Sequence, residues 1–245
     1  MARREEAIRL LATGVSRREV CRQLGVGYSS LYRWEIQVNP KVRASKIRCF
    51  RCDRTDPHES YTYLLGQYLG DGHIAPSGRS QALRIACTRA YPLIIAETAA
   101  AMRAVAGTSV NYQTRDGCTL VNSATVHWLC MLPQHGRGMK HTRPIVLTDW
   151  QEEIIKSNPR GLIRGLIHSD GCRATNTVHR PLPSGLYTYH YPRYFFSNES
   201  ADIRQIFTDA LDLLGIAWKQ NRRNSISIAR REAVAALDEF VGPKA

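Results

Sequence analysis

Two ten-residue segments of this 245-residue chain end the same way. The first is Tyr63-Leu64-Leu65-Gly66-Gln67-Tyr68-Leu69-Gly70-Asp71-Gly72. The second is Leu162-Ile163-Arg164-Gly165-Leu166-Ile167-His168-Ser169-Asp170-Gly171. Both read as apolar helices with small residues four apart, Gly66 and Gly70 in one, Gly165 and Ser169 in the other. Residues i and i+4 share a helix face. A face of small residues lets two helix backbones approach closely. The pattern therefore asks for two helices packed side by side, with Asp71 and Asp170, 99 residues apart in the chain, brought together at their ends.

The order of elements after each segment also repeats. In the first half, strands are expected over 83–88, 110–114 and 119–124, a helix over 92–105 ending at Gly107, and an apolar segment over 126–132. In the second, strands fall at 173–178, 194–197, 217–220 and 225–229, with helices at 200–214 and 231–240. Each half reads α-β-β-α-β-β-α. The second is longer between its Asp and its helix-ending Gly, and His179 to Gly185, with Pro181 and Pro183, reads as a long inserted loop. Two motif copies ending in Asp-Gly, each succeeded by the same element order, resemble the LAGLIDADG homing endonucleases. The resemblance implies a single-chain, pseudo-twofold α+β fold. Each half would present an antiparallel sheet to the DNA major groove, and the motif helices would form the internal interface.

The first forty residues are different in kind. Apolar spacing over 4–13 predicts a helix that Gly14 ends. Ser16-Arg17-Arg18-Glu19 has the form of a capping box opening a helix over 17–24. Gly25-Val26-Gly27 breaks it, and Ser29 to Trp34 begins a third. This is an all-α, trihelical helix-turn-helix pattern and resembles the small DNA-binding domains of transposases and resolvases. In that reading Ser29, Ser30 and Arg33 face the groove, Arg17 and Arg18 touch the backbone, and Leu24, Val26, Leu31 and Trp34 form the core. The chain divides into this domain (1–38), a linker (39–60), a first repeat (61–138), an inter-repeat connection (139–160) and a second repeat (161–245).

Charge agrees with a polyanionic partner. Lys and Arg total 34 against 21 acids, a net charge of +13, and only six of the basic residues are lysines. Arg suits bidentate contact with phosphate and guanine. Double-stranded DNA is the expected partner, bound by a monomer with internal pseudo-symmetry. The expected sheet contacts are Arg79, Arg84, Arg89, Gln113 and Arg115 in the first half, and Arg173, Arg193, Lys219, Gln220, Arg222 and Arg223 in the second. No apolar run reaches the length of a membrane span. No apolar region succeeds the basic start, as a secretory leader would require. The expected location is cytoplasmic and nucleoid-associated.

Hydrolysing a phosphodiester needs charge stabilisation on the attacking and leaving oxygens, which divalent cations supply. Such hard cations take oxygen ligands. Asp71 and Asp170 at helix C-termini, where the dipole favours a cation, suit Mg²⁺ or Mn²⁺, with the carbonyls of Gly70 and Ser169 as further ligands. The resemblance implies that the two aspartates serve two strand cleavages and that a lysine lies near each site. Lys140 and Lys244 stand at the matching places, and Lys140 is assigned an assisting catalytic role. His168 is expected to pack in the helix interface. The alternative function is a DNA-binding transcriptional regulator on the same scaffold, with both acids vestigial. Cys49-Phe50-Arg51-Cys52 is a CxxC knuckle near His58. Cys49, Cys52, His58 and one distant ligand would make a zinc site, but zinc is usually held by two such pairs and no second CxxC exists. These thiols are therefore expected to be buried in a tight turn without metal, and all seven cysteines to be reduced.

Overall fold

The computed structural model describes residues 2–38, 49–183, 185–242 and 244. The chain divides into two compact units, Met1–Arg48 and Cys49–Ala245.

The first unit has three helices, α1 (Ala2–Ala12), α2 (Arg17–Leu24) and α3 (Tyr28–Val38). Ser16 Oγ accepts from the Glu19 backbone N–H, half of the expected capping box. The Glu19 carboxylate turns instead to Arg22 and Gln23. Gly25 ends α2 at φ 60°, donating its N–H to the Cys21 carbonyl. That left-handed conformation is what glycine supplies without strain. Ala7, Val20 and Leu31 are fully buried, and Leu24, Val26 and Trp34 pack around them.

The second unit begins with a single turn, α4 (Phe50–Asp53). It continues as α5 (Tyr61–Asp71), β1 (Gly72–Ser77), β2 (Ser80–Thr88), α6 (Pro92–Ala106), β3 (Val110–Arg115), β4 (Cys118–Thr125) and α7 (Trp128–Met131). After α8 (Asp149–Ser157), the order recurs: α9 (Pro159–Asp170), β5 (Gly171–Leu182), β6 (Gly185–Ser197), α10 (Ala201–Leu213), β7 (Lys219–Arg222), β8 (Ser225–Ile228) and α11 (Arg231–Asp238). The two sheets are antiparallel and share one topology, β1-β2-β4-β3 and β5-β6-β8-β7. One core joins both repeats, from Tyr61, Leu64 and Trp128 to Phe196, Phe207 and Leu237.

Three expectations change. The linker reading fails for its second half: Cys49 and Phe50 are buried in the core, and the Phe50 ring stands edge-on to Tyr61 at 5.1 Å. Its first part, 39–48, lies outside the described residues. The inter-repeat connection contains a helix, α8, opened by a Thr148–Gln151 capping box. The expected long loop at 179–185 is instead an extended hairpin, with β5 and β6 paired out to Leu182 and Gly185. Pro181 is accommodated because β5 is an edge strand, and Pro183 falls in the turn beyond its end at Leu182.

Candidate active site

α5 and α9 touch backbone to backbone. A Cβ placed on Gly66 would lie 2.6 Å from the Leu162 carbonyl oxygen, 2.8 Å from the Leu166 nitrogen and 2.9 Å from the Gly165 Cα. One on Gly165 would collide with the Tyr63 carbonyl and lie 3.0 Å from the Gln67 nitrogen. A methyl group at either place forces the helices apart. The expected helix pair is therefore present, and its closeness is steric in origin.

The Asp-Gly ending has a physical reason at the glycine. Gly72 and Gly171 have φ of −84° and −106°, so neither makes a left-handed cap. Each turns the chain directly from helix into strand beneath its own last turn. A Cβ on Gly171 would lie 2.8 Å from the Ile167 Cα, and one on Gly72 would strike the Tyr68 Cα. The turn demands the glycine and makes no such demand on the acid before it.

The acids meet where the helices end. A Cβ on Gly70 would fall 3.1 Å from Asp170 Oδ2, so the second acid reaches across to the first helix. Asp71 is pushed up to about 6. Loss of water to the surrounding protein is the main cause, even though the residue keeps an edge open to solvent. The Asp170 charge adds to it, while Lys140 and Lys244 oppose it. Asp170 is also raised, chiefly by burial, and is restrained by a 2.6 Å hydrogen bond from Asn198 Nδ2 and by the two lysines. Among the described residues no side chain hydrogen-bonds Asp71.

Each helix end has its own lysine. Lys140, in a short 3₁₀ turn (Lys140–Thr142), donates from Nζ to the Tyr68 carbonyl at 2.6 Å and the Gly70 carbonyl at 2.8 Å. Burial pushes it down to about 8 against the pull of both aspartates. Lys244 Nζ donates to the Ser169 carbonyl at 3.4 Å, and its pKa is likewise lowered by burial. The carbonyls of Gly70 and Ser169, expected as metal ligands, thus face ammonium groups. The Ser169 hydroxyl is used within its own helix, donating to Gly165 and Leu166 carbonyls.

His168 packs, as expected. Gln67 Nε2 donates to the Tyr63 hydroxyl, which lies 3.2 Å from His168 Nδ1, and His168 Nε2 donates to the Val241 carbonyl at 2.9 Å. A carbonyl can only accept, so the proton sits on Nε2 and Tyr63 donates to Nδ1. Burial, and then the Arg164 charge, lower the His168 pKa, against the Val241 carbonyl and the Glu97 carboxylate 3.7 Å from Nδ1.

A cleft of about 500 Å³ opens beside the pair. Besides Asp170 and Lys140 it is lined by His73, His135, Arg143 and Asn198, none of which the motif spacing revealed. The His73 and His135 rings stand 6.1 Å apart.

Strand register sorts the basic residues. Leu83 and Ile85 are buried, so Arg84 takes the opposite face of β2, in one row with His73, Asn122 and Asn111. Gln113 and Arg115 share that face, while Arg79 and Arg89 are exposed in the turns bounding β2. In the second sheet, Arg193, Lys219 and Arg222 lie on the face away from the core. Arg193 donates to Ser227 Oγ at 2.7 Å, and a bulge between Gln220 and Arg222 turns Arg222 outward. Tyr187, Tyr189 and Tyr191 continue this face along the extended hairpin. Alternating Tyr in the sequence was the available signal for them.

Four expected contacts are placed otherwise. Arg173 lies opposite buried Tyr194 on the helix side of the sheet, where it makes a bidentate pair with Asp238 at 2.8 and 2.9 Å. Gln220 sits in the same inward row as Ile226 and folds its amide onto the Arg222 carbonyl. Arg223 pairs with Glu199 at 3.0 Å but remains exposed. In the first unit Arg17 is held by Glu35 through two 2.8 Å bonds, while Arg18, Ser29, Ser30 and Arg33 are exposed.

Residues 1–35 match a family model described as a homeodomain-like domain. Several solved structures are similar to this chain. One is the LAGLIDADG meganuclease I-AabMI bound to uncleaved DNA, with 10% identity over 74% of this chain and 82% of that one, and a TM-score of 0.46. Another is the N-terminal LAGLIDADG domain of DUF199/WhiA, with 14% identity over 75% and 82% and a TM-score of 0.45. A third is the homing endonuclease I-WcaI bound to its DNA recognition sequence, with 11% identity over 80% and 86% and a TM-score of 0.45. No curated protein matches the sequence. No helix among the described residues is long and apolar enough to cross a membrane.

Proposed function

We propose that the chain is a site-specific endonuclease for double-stranded DNA, acting as a pseudo-twofold monomer on the nucleoid, with hydrolysis at the Asp71–Asp170 pair. The observation that supports it most is the meeting of two motif acids at the ends of the paired helices, beside a cleft that Asp170 lines, each helix end attended by a lysine. The glycine turns account for Gly72 and Gly171 and do not by themselves require an acid before either.

The donor set suits a hard divalent cation, because the carboxylates of Asp71 and Asp170 and nearby backbone carbonyls offer only oxygen. Mg²⁺ or Mn²⁺ held there would supply Lewis-acid stabilisation of the attacking and leaving oxygens. The chain's own groups do the rest. The outward faces of the two sheets position the duplex through Arg84, Gln113, Arg115, Arg193, Lys219 and Arg222. Asn198 fixes the orientation of Asp170. Lys140 and Lys244 hold positive charge beside the acids, where a phosphodiester brings negative charge. Arg18, Ser29, Ser30 and Arg33 add a second DNA contact in the N-terminal unit.

One observation favours the regulator reading: the Gly70 and Ser169 carbonyls, each beside a motif acid, already accept hydrogen bonds from lysine. Supercoiled-plasmid assays on a randomised target library, with Mg²⁺ or Mn²⁺, separate the two. Metal-dependent linearisation that Asp71→Asn and Asp170→Asn abolish establishes the nuclease. Selective binding without cutting establishes the regulator.

A further inference from the structure

Sequence spacing leaves the Cys49–Cys52 pair without partners, because the chain has no second CxxC. The fold supplies a different second pair. His127 and Cys130, also three residues apart, come from α7, which packs against α4. Cys49 caps α4 and Cys52 is its third residue. His127 caps α7 and Cys130 is its third residue. A cap residue and the residue three on converge at a helix start, as the partners of a capping box do. The Nδ1 or Nε2 and Sγ atoms of all four residues lie within 4.8 Å of one another.

We propose that Cys49, Cys52, His127 and Cys130 bind one structural zinc ion that fastens the start of the second unit to α7. Tetrahedral zinc has Zn–S of about 2.3 Å and Zn–N of about 2.0–2.1 Å, which puts two sulfurs about 3.8 Å apart and sulfur and nitrogen about 3.6 Å apart. Cys52 Sγ lies 3.9 Å from Cys130 Sγ and 3.5 Å from His127 Nδ1. A disulfide would need about 2.05 Å. Three thiolates and one imidazole are a soft donor set suited to zinc and foreign to Mg²⁺. On binding, three S–H protons pass to solvent as three Zn–S bonds and one Zn–N bond form. His58 has no part in it: its Nδ1 accepts from the Ser60 N–H at 3.1 Å. Cys49 is buried, but Cys52, expected to be buried with it, is exposed, as is Cys130, so the four ligands sit at the edge of the core. Phe50 packs on Tyr61 and Trp150, the Tyr61 hydroxyl donates to the Met131 carbonyl at 2.7 Å, and Trp128 and Met131 are fully buried. The metal would therefore fix the chain where it enters the second unit, at the foot of α5.

The test uses the full chain, purified under reducing conditions without added metal and dialysed against a weak chelator. Elemental analysis should find about one zinc per chain, as a single four-ligand site requires. The zinc should persist in the Asp71→Asn/Asp170→Asn double variant and in His58→Ala, and be lost in Cys52→Ser and Cys130→Ser. Cobalt exchanged into the wild-type chain should give thiolate-to-metal charge-transfer and tetrahedral ligand-field bands. His127→Cys, which keeps four ligands and so guards against a misfolded variant, should retain the metal and strengthen the charge-transfer band. Three results would overturn the proposal. One is no zinc even after reconstitution. Another is zinc that follows the aspartates and ignores the cysteines. The last is a Cys52–Cys130 disulfide in the reduced preparation.

Discussion

The two repeats of the second unit share a topology and spend it differently. The first builds short, even strands, six and nine residues in β1 and β2 and six and eight in β3 and β4. The second stretches β5 and β6 to twelve and thirteen and shrinks β7 and β8 to four each. The acids differ in the same way. Asp170 is tied to Asn198, whereas Asp71 has no side-chain hydrogen bond among the described residues. The two repeats match along the helix pair, at Gly66 and Gly165, at the two Asp-Gly turns and in the lysine that meets each helix end. The requirement common to both halves is that the helix ends coincide, and each sheet is then free to suit its own stretch of partner.

The sharpest way to break this comparison is at the acids. If the two halves are chemically equivalent, Asp71→Asn and Asp170→Asn each lower plasmid linearisation by about 10²–10³-fold, the equivalent of several kcal/mol of lost charge stabilisation. A variant that still linearises at the wild-type rate would make its half dispensable. Next in size is the interface. Gly66→Ala places a methyl against rigid backbone and should cost about 3 kcal/mol. At roughly 2–4 °C per kcal/mol for a unit of this size, calorimetry should show a melting point about 6–12 °C lower.

Asn198→Ala tests the asymmetry itself. Removing the bond that restrains Asp170 should raise its pKa, move the acid limb of cleavage to higher pH and reduce activity about 10–100-fold. A pH–rate profile for the variant reads this directly. The smallest effect sorts two arginines by sheet face. Arg222→Ala should reduce the slope of log affinity against log salt by about 1. Arg173→Ala should leave that slope alone and cost about 0.2–1 kcal/mol of stability, as a solvent-accessible pair with Asp238 does. Acid titration adds a sign. The folded state binds the Asp71 proton more tightly than the unfolded chain, so this group stabilises the metal-free protein most at low pH. That contribution fades as pH rises from the unfolded carboxylate range through about 6. Asp71→Asn should flatten that part of a stability-versus-pH curve.

Much of this architecture was legible because it rests on local signals. The motif helices, the helix-ending Gly107 and Gly215 and the alternation of β2 and β4 can all be read from short windows. Three things escaped for physical reasons. Arg173 falls one residue out of step with the outward face, and strand parity has no sign until one knows which side the helices cover. Pro181 reads as a loop breaker because the sequence does not announce an edge strand, where a missing N–H on the open side costs little, and Pro183 in the turn beyond it strengthens the loop signal. The Cys and His pairs stand 75 residues apart between Cys52 and His127, and His127-Trp128-Leu129-Cys130 looks like a fragment of apolar helix. At the candidate site the two acids were visible in the repeated motif, and Lys140 through the family resemblance. Asn198, His73 and His135 were not, because they reach the cleft from strand ends and loops with no fixed spacing to the motif.

The backbone contact at Gly66 and Gly165 has a consequence for how such a molecule diversifies. The gauge between the two helices is set by peptide groups at Gly66 and Gly165 and, nearer the acids, by the small Ser169 side chain against Gly70. A repeat from another source that keeps its glycine and its Asp-Gly turn should seat at the same gauge, whatever its sheet reads. Halves become interchangeable cartridges, and new combinations of outer surface can be assembled without recalibrating the centre.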